Sequence, residues 1–383
     1  MRVAFFAETL AEVCAHSLVA PGRRLRWMII ANPAAGGFVM RSRWKKCRLA
    51  LEECLTAART NPLRKDCGPA GTAAAFNTGP RLAGYGLVPT AGPGDGTKIA
   101  GALLAEISNA LDSTGNIDAA PFYLIITAGG DGTSLEALSV LYDAPAQLRK
   151  HMAILRLPMG TGNDGADSPE IAGALELIIK PSRVEFAPAL RLLSAPGGPA
   201  ESKGPFLAFN ILSVGLDAFV THMTNKMKGK FPGDFYKLWV DIAALLYDRL
   251  YETGPLNVRA MDGQKGEVCS FCETLLLLAV GVSGHRTYGS HKKILPDNRN
   301  VCAVKQMPLL RKLALKGLFT TGGHIDKPES ILFSAHSVEF SGNYPILAQM
   351  DGETVLLRRE DFPAVIELTD PVIPVIKPGP SGI

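Results

Sequence analysis

Three glycine-bearing loops are the segments of this sequence best suited to chemistry. Each follows a short apolar run, and they read Asn32-Pro-Ala-Ala-Gly-Gly37, Gly129-Gly-Asp-Gly-Thr133 and Gly160-Thr-Gly-Asn-Asp164. Glycine lets the backbone approach a ligand closely and adopt left-handed conformations, and N–H groups beside a helix N-terminus bind anions. One such loop is ordinarily a tight turn, whereas three of them favour a site for the phosphates of a nucleotide.

An acidic residue, Asp131, lies among the glycines of the second loop. A carboxylate is a poor direct contact for phosphate, so we expect it either beside a phosphate-bound cation or in holding the loop. The sequence lacks Gly-x-x-x-x-Gly-Lys-Ser/Thr, which excludes a P-loop enzyme. It also lacks Gly-x-Gly-x-x-Gly after the first predicted strand, which disfavours classical dinucleotide binding.

The segments around these loops alternate between strand and helix patterns. Predicted strands are 27–31, 87–90, 122–127 and 152–157, and predicted helices are 41–58, 97–111, 134–142 and 171–179. Thr133 or Ser134 is expected to cap the third helix. This order predicts an α/β layer with a parallel sheet, in which the loops after the strands meet at one edge and bind ligands there.

From Arg183 onward the pattern changes to short strands separated by Gly, Pro and Asn, with one helix near 234–251. This favours a mostly β, sandwich-like second domain after a Rossmann-like α/β nucleotide-binding domain. The predicted organisation is an extension over 1–25, an α/β domain over 26–181 with a loop insertion at 61–84, a β-rich domain over 182–370, and a Pro-rich tail over 371–383. Acidic residues interrupt the apolar N-terminus, which disfavours a signal peptide. The extension is then helical or disordered, or translation begins at Met28.

The composition sets wider limits on function. The chain has 383 residues, 47% hydrophobic and 20% charged, which is globular, favours two domains and excludes a disordered or fibrous protein. No apolar run reaches the ~18 residues of a membrane-spanning helix. A net charge of +4, from 40 basic and 36 acidic residues, gives no sign of nucleic-acid binding. The Cys269-x-x-Cys272 pair lies in a predicted strand, so reduced thiols of a cytosolic protein are favoured over a metal or redox pair.

Short motifs in a fixed order carry a family resemblance. They are Asn32-Pro…Gly36, Gly129–Thr133 with Glu136, Pro158-x-Gly-Thr-Gly-Asn-Asp164, Phe209-Asn210…Gly215-x-Asp217-Ala218, a Gly-rich stretch ending at Pro296, and Asp351-Gly352-Glu353. In this order and spacing the chain resembles the diacylglycerol kinase catalytic-domain family of lipid kinases. The resemblance spans roughly 27–353, and the family fold is an α/β nucleotide domain followed by a β-rich domain.

The resemblance implies transfer of a phosphoryl group from ATP to a lipid hydroxyl, most simply that of diacylglycerol or a related long-chain alcohol. Its implied ATP contacts are Asn32, Pro33, Gly36, Thr90, Gly129, Gly130, Asp131, Gly132, Thr133, Gly160, Thr161, Gly162 and Asn163. Its implied acids for Mg²⁺, held through ATP and water, are Asp131, Asp164 and Glu185.

Asp351 matches the catalytic base of the family. An alcohol that attacks a γ-phosphate needs a proton acceptor and a cation. Asp351 follows an alternating strand, 346–350, and Gly352 makes a turn that would expose the carboxylate. An ordinary Asp-Gly hairpin turn is the alternative interpretation.

Two stretches depart from the family pattern. Many bacterial members bind a structural metal at Pro…Asp-Asp-Gly, where this chain has Pro296-Asp-Asn-Arg-Asn-Val301, so we do not expect that metal in its usual form. A double glycine before it is replaced by Tyr288-Gly-Ser-His291. Two other functions stay open: an NAD kinase relative, which would share Gly-Gly-Asp-Gly, and a nucleotide- or lipid-binding regulator that has lost turnover.

The segment 305–319 alternates Leu and Phe with Lys and Arg at helical spacing. Such a helix can lie in an anionic headgroup layer, and a second basic cluster stands at Lys226, Lys228 and Lys230. A packed helix with a solvated charged face is the alternative. We therefore expect a cytoplasmic protein that contacts the inner membrane face peripherally, with a lipid as partner and without nucleic acid. Whether the protein forms a homodimer is left open.

Overall fold

The computed structural model describes residues 1–60, 85–114, 120–160, 162–204, 206–227, 247–263, 266–289 and 292–379. The chain divides into two compact units, one formed by Met1–Ala187 with Pro371–Ile383 and the other by Pro188–Asp370. The predicted insertion at 61–84, most of the predicted helix at 234–251, Lys228 and Lys230 lie outside the described residues. No described helix is both long and apolar enough to cross a membrane.

The first unit is built on a six-stranded sheet with the strand order β2-β1-β3-β4-β19-β5. Its strands are β1 (Leu25–Ala31), β2 (Tyr85–Pro89), β3 (Phe122–Gly129), β4 (Met152–Pro158), β5 (Ser182–Ala187) and β19 (Ile373–Pro378). Its helices are α1 (Arg2–Ala15), α2 (Gly36–Val39), α3 (Arg41–Thr60), α4 (Asp95–Thr114), α5 (Asp131–Tyr142), α6 (Ala146–Arg149) and α7 (Ile171–Ile179).

Strand β3 shows why this sheet forms. All eight of its residues are buried, which is typical of a parallel strand covered on both faces. Alternate residues such as Leu124 and Ile126 join the core formed with α1, α3 and α7. Strands β1 to β4 pair in parallel. The loops that follow them therefore lie along one edge of the sheet, as the sequence predicts.

Both ends of the chain belong to this unit, which differs from the predicted extension and tail. Helix α1 buries Phe6, Leu10 and Val13, and the Phe6 ring meets the Phe38 ring with centroids 5.1 Å apart. Strand β19 pairs with β4 and β5, which places the last apolar segment inside the sheet. Because β5 also pairs in this sheet, the first segment of the unit runs to 187, beyond the predicted 181.

The second unit is an antiparallel sheet of eleven strands. Its strands are β6 (Leu190–Leu193), β7 (Phe206–Ala208), β8 (Ile211–Gly215), β9 (Pro255–Asp262), β10 (Gly266–Gly281), β13 (Val301–Lys305), β14 (Ser330–Phe333), β15 (Ser337–Ser341), β16 (Ile346–Met350), β17 (Glu353–Leu357) and β18 (Ala364–Leu368), beside a two-stranded pair, β11 (Arg286–Tyr288) and β12 (Lys292–Leu295). Its helices are α8 (Leu216–Met227), α9 (Tyr247–Leu250), α10 (Leu309–Lys316) and α11 (Leu318–Thr321).

The long strand β10 joins two parts of this sheet. Its first part pairs with β9, and its last part pairs with β8 and β13. Leu212, Val258 and Leu278, from both parts, belong to one buried cluster. The predicted fold class, an α/β domain followed by a mostly β domain, is confirmed.

Cys269 and Cys272 both lie on β10. Side chains three residues apart in a strand point to opposite faces. Cys269 packs beside the core while Cys272 is exposed. Burial, with a smaller effect of Glu267, raises the pKa of the Cys269 thiol. The two thiols therefore lie on opposite faces of the strand, which disfavours a shared metal ion or a disulfide.

Candidate functional site

The loops after β1, β3 and β4 hold one another in place. The Met159 N–H donates to the Gly129 carbonyl at 3.1 Å, and the Gly37 N–H donates to the Met159 carbonyl at 2.7 Å. Arg43 of α3 donates from Nη1 to the Gly160 carbonyl at 2.6 Å. The three glycine loops predicted to converge therefore form one connected group. Arg43 was not predicted, because nothing distinguishes it from the other basic residues of its helix.

Two of the glycines are required by close packing, Gly160 against backbone and Gly129 against a side chain. A Cβ atom on Gly160 would lie 2.3 Å from the Gly130 Cα and 2.8 Å from the Gly162 carbonyl oxygen. A Cβ atom on Gly129 would lie 2.4 Å from the Thr133 Oγ1. None of these glycines has a positive φ, so the expected left-handed conformations are absent here. The loops need glycine because their backbones touch.

Helix α5 begins inside the central loop. It starts at Asp131 rather than at the predicted Ser134, its N-cap is Gly130, and no side chain caps it. The Ser134 and Thr127 hydroxyls instead hydrogen-bond to each other at 2.9 Å. The first-turn N–H groups of a helix without a side-chain cap, together with the helix dipole, favour a bound anion.

Asp131 holds the neighbouring loop. Its Oδ1 accepts the Gly165 N–H at 3.0 Å. The far end of that loop is fixed to β4 by a buried ion pair, in which Arg156 Nη2 lies 2.6 Å from Asp167 Oδ1 and the Arg156 N–H donates to Oδ2 at 2.7 Å. Asp164 therefore lies on a loop that is anchored on both sides. Of the two roles expected for Asp131, this contact is the loop-holding one.

The loop after β2 is held by Glu136 of α5. Its two carboxylate oxygens accept the N–H groups of Gly94 and Gly96 at 2.7 and 2.8 Å. The Thr90 N–H donates to the Ala31 carbonyl at 2.8 Å, which joins this loop to the end of β1. Glu136 appears in the sequence motif but not among the predicted site residues.

Two predicted ATP-contact side chains shape their own loops. Asn32 Oδ1 accepts the Ala34 N–H at 3.0 Å. Asn163 closes a ring on Gly160, since its Oδ1 accepts the Gly160 N–H at 2.7 Å and its Nδ2 donates to the Gly160 carbonyl at 3.0 Å. Thr161 lies outside the described residues.

The structure does not bring Glu185 to the other two predicted magnesium acids. Glu185 pairs in register with Val375, and Val375 pairs with Ile154. That level is four residues, or ~13 Å at 3.3 Å per residue, before the end of β4. Glu185 also forms an ion pair with Arg183 at 2.5 Å. The described residues contain no cluster of three or more His, Cys, Asp or Glu side chains suited to a metal.

Asp131 and Asp164 remain as candidate magnesium acids. They lie on adjacent loops, because Asp131 bonds the residue that follows Asp164. Magnesium bound with a nucleotide is commonly held by one or two carboxylates, phosphate oxygens and water. These two residues fit that donor set without Glu185.

In the second unit, Asp351 occupies a strained turn after β16. Its φ is +47°, and it is followed by Gly352 at φ +108°. Its carboxylate accepts the backbone N–H groups of Phe209, Asn210 and Ile211, the last two at 3.1 and 2.9 Å. Asp351 is only 8% exposed, so the expectation that the turn exposes its carboxylate is wrong.

A buried amide supports this turn. Gln349 is fully buried, donates from Nε2 to the Ser213 Oγ at 2.8 Å, and accepts the Gly352 N–H on Oε1 at 3.2 Å. The Ser213 hydroxyl in turn donates to Asp217 Oδ2 at 2.7 Å. The Phe209–Ala218 motif and the Asp351–Glu353 motif are therefore one structural element. Gln349 carries no sequence signal apart from its place in an apolar strand.

Helix α10, within the predicted membrane segment, has an unexpected orientation. Leu309, Leu310 and Leu313 are exposed, and Leu310 is 81% exposed. Lys312 is buried and its Nζ lies 3.1 Å from Asp248 Oδ1. The helix thus exposes leucines beside the charged Arg311 and Lys316, and it buries Lys312.

Comparisons with known proteins find a family likeness within the first unit. A model of the diacylglycerol kinase catalytic domain matches residues 26–186. No curated protein matches the sequence at a significant level.

Solved structures from Bacillus anthracis str. Sterne share the fold. One, described as a diacylglycerol kinase, aligns with a TM-score of 0.50 at 16% identity and covers 94% of this chain and 98% of its own. Two candidate diacylglycerol kinases of that strain give TM-scores of 0.55 and 0.56 at 18% and 19% identity, covering 91% and 94% of this chain and 96% and 98% of theirs. Residues 26–186 thus resemble a diacylglycerol kinase catalytic domain, and the two-unit fold of the chain is shared with these structures.

Proposed function

We propose that this protein is an ATP-dependent lipid kinase that transfers the γ-phosphate of Mg·ATP to a lipid hydroxyl, with diacylglycerol or a related long-chain alcohol as the acceptor. The observation that carries the proposal is the N-terminus of α5. It has no side-chain cap and lies among interlocked glycine loops, inside the segment that matches the diacylglycerol kinase catalytic-domain model.

The nucleotide phosphates would bind the N–H groups of Gly130, Asp131 and Gly132 at this helix end. The positive end of the helix dipole and the backbone N–H donors both stabilise a bound phosphate. The contacts of Arg43, Glu136 and Asp131 keep the loops fixed before ATP arrives. Phosphoryl transfer depends mainly on positioning and charge stabilisation, so this preorganisation is the unit's main contribution.

Asp131 and Asp164 would hold magnesium through water and phosphate oxygens. The ion neutralises charge on the phosphates when it is bound. The chain's own part is to keep the two acids on adjacent, anchored loops. Asp131 would then serve both roles expected for it, one oxygen for the loop and the other for the ion.

Asp351 would accept the proton of the lipid hydroxyl. Three backbone donors and the left-handed turn fix the direction of its carboxylate, which favours a base that must meet one hydroxyl in one geometry. Burial limits competition from water at the carboxylate. Gln349 acts through the turn as a positioning residue.

The acceptor would be reached at the cytoplasmic face of a membrane through the exposed leucines of α10. Burying a leucine side chain contributes about 1.5–3 kcal/mol. The basic residues of the segment contribute less to membrane attraction than the sequence predicts, because acidic side chains already neutralise several of them. Lys305, Arg311 and Lys312 are paired with Glu273, Glu329 and Asp248.

Phosphate transfer to single acceptors tests the proposal. The protein would be incubated with [γ-³²P]ATP and Mg²⁺, with diacylglycerol, ceramide, sphingosine or NAD offered separately, lipids in mixed micelles. Label in a lipid is the expected result, and its mobility names the acceptor. Label in NAD alone would identify the protein as an NAD kinase and not a lipid kinase. ATP binding with no labelled product would favour a regulator without turnover.

A further inference from the structure

In the 296–301 loop, where the sequence departs from the family's metal-binding stretch, the Arg299 side chain supplies a positive charge. Asp297 Oδ1 accepts the Arg299 backbone N–H at 2.9 Å and the Arg299 Nε at 3.1 Å. Asp297 Oδ2 accepts Nε at 3.0 Å and also Nη2. Both carboxylate oxygens are therefore engaged by one guanidinium, in the planar two-point geometry that makes Arg–carboxylate pairs strong.

The other polar groups of this stretch are also engaged. Asn298 Oδ1 lies 2.9 Å from His285 Nε2, and the His285 N–H donates to the Asp297 carbonyl at 2.8 Å. The Asn300 amide is buried and bonds both backbone groups of Ala335, with Nδ2 donating at 2.9 Å and Oδ1 accepting at 3.0 Å.

These contacts pack the loop tightly onto its neighbour. A Cβ atom on Gly284 would lie 2.1 Å from the Asp297 carbonyl oxygen, and His285 adopts a φ of +55°. The 283–286 and 297–300 segments therefore form one rigid pair.

The residues present do not fit a divalent metal. Magnesium and calcium need several oxygen ligands, carboxylates above all. This stretch offers one carboxylate, and the Arg299 guanidinium beside it lowers the pKa of Asp297. A divalent ion at Asp297 would have to displace this guanidinium and would be repelled by its charge.

We propose that Arg299 is a built-in counter-ion that does the work of the structural metal in this loop. The loop of the second unit is then ordered without divalent ions, and any magnesium requirement of the protein arises elsewhere. The proposal does not depend on the proposed function, because it concerns the order of one loop and not turnover.

Hydrogen exchange of peptides covering 281–305, measured on the full chain without nucleotide in Mg²⁺ and in EDTA, tests this directly. For the wild type we expect exchange rates that agree within about twofold in the two buffers. Arg299→Gln and Asp297→Asn should each speed exchange about tenfold, and equally in both buffers, because a charge-assisted pair is lost. Arg259→Gln, which breaks the exposed pair with Glu267, is the matched control and should leave this segment unchanged.

The opposite pattern would overturn the proposal. If a metal orders the loop, EDTA alone will speed exchange in the wild type, and Asp297→Asn will matter only in Mg²⁺. A converse variant, Asn298→Asp with Arg299→Gly, creates Asp-Asp-Gly, and its loop should become protected by Mg²⁺. A double variant indifferent to Mg²⁺ would contradict the role given to Arg299. The wild-type comparison stands even if a variant fails to fold.

Discussion

Gly160→Ala should separate the two glycine loops that the proposed phosphate site depends on. The new methyl carbon would begin 2.3 Å from the Gly130 Cα and 2.9 Å from the Gly130 nitrogen. Carbon atoms in contact lie ~3.5–4.0 Å apart, so the loops must move by more than about 1 Å. Both obstructing groups are backbone, which cannot rotate away as a side chain would.

The size of the effect follows from this overlap. Overpacking a well-packed site costs about 1–3 kcal/mol, and contacts to backbone put Gly160→Ala in the upper half of that range. The melting temperature of the first unit should fall by about 4–12 °C, at 2–4 °C per kcal/mol for a unit of this size. Turnover should fall about 100-fold, since misplacement by about 1 Å has that effect on phosphate positioning.

Differential scanning fluorimetry would measure the stability, transfer of label from [γ-³²P]ATP the turnover, and binding of a fluorescent ATP analogue the affinity of the phosphate site. The matched control is Gly101→Ala in α4, where a Cβ atom meets nothing within 4 Å. Alanine is the better helix former by about 1 kcal/mol, so the control should be as stable as the wild type or more so, with unchanged affinity for the analogue.

A Gly160→Ala protein with wild-type stability and ATP affinity would refute the reasoning. It would mean that the close approach of the Gly130 and Gly160 backbones is not needed for the site. Loss of stability with intact ATP affinity would separate the packing argument from the phosphate argument and contradict only the second.

Three further outcomes follow from single contacts. Glu136→Gln keeps one acceptor oxygen for two N–H donors, so it should weaken ATP affinity about tenfold in an equilibrium binding assay. His324 is fully buried, and burial lowers its pKa, so the unfolded protein binds a proton at this residue more readily than the folded protein does. The free energy of unfolding should therefore fall as the pH drops below about 6.5. Denaturant titrations of His324→Gln should lack this pH dependence. Leu310→Gln should reduce cosedimentation with diacylglycerol-containing vesicles about tenfold, while Val268→Gln, the same kind of apolar-to-polar replacement at an exposed strand residue, should not. Equal losses would exclude α10 as the membrane contact.

The convergence of the glycine loops could be predicted, because strand–loop–helix repeats place such loops at one sheet edge. The start of α5 could not, since Gly130 to Gly132 reads as loop although the helix begins at Asp131. There the capping preference of Thr133 and Ser134 was overruled by the hydrogen bond between Ser134 and Thr127.

Long-range strand pairing determined two features that the sequence did not predict, the place of the last strand and the position of Glu185. Ile373–Pro378 is short and contains proline, so it resembles a tail, yet it completes the sheet between β4 and β5. The same register removes Glu185 from the loop edge. Such pairings join residues about 200 positions apart and leave no local pattern.

The burial of individual polar side chains could not be predicted from the sequence either. An Asp-Gly turn normally exposes its acid, but Asp351 is held inward by three backbone donors, two from the β7–β8 connection and one from the first residue of β8. Lys312 likewise turns inward because Asp248 lies beside it, which leaves the neighbouring leucines outside. In both cases the deciding partner comes from a distant segment.

Asp351→Asn gives the most direct test of the central claim that this chain is a lipid kinase with Asp351 as its base. Transfer of ³²P from ATP to diacylglycerol would be measured beside ATP affinity and thermal melting for wild type and variant. The account predicts a labelled lipid with the wild type and at least 100-fold slower transfer with the folded variant, at nearly unchanged ATP affinity, because the base acts in the transition state. Wild-type transfer by the folded variant would contradict the role of Asp351, and an unlabelled lipid with the wild type would contradict the claim itself.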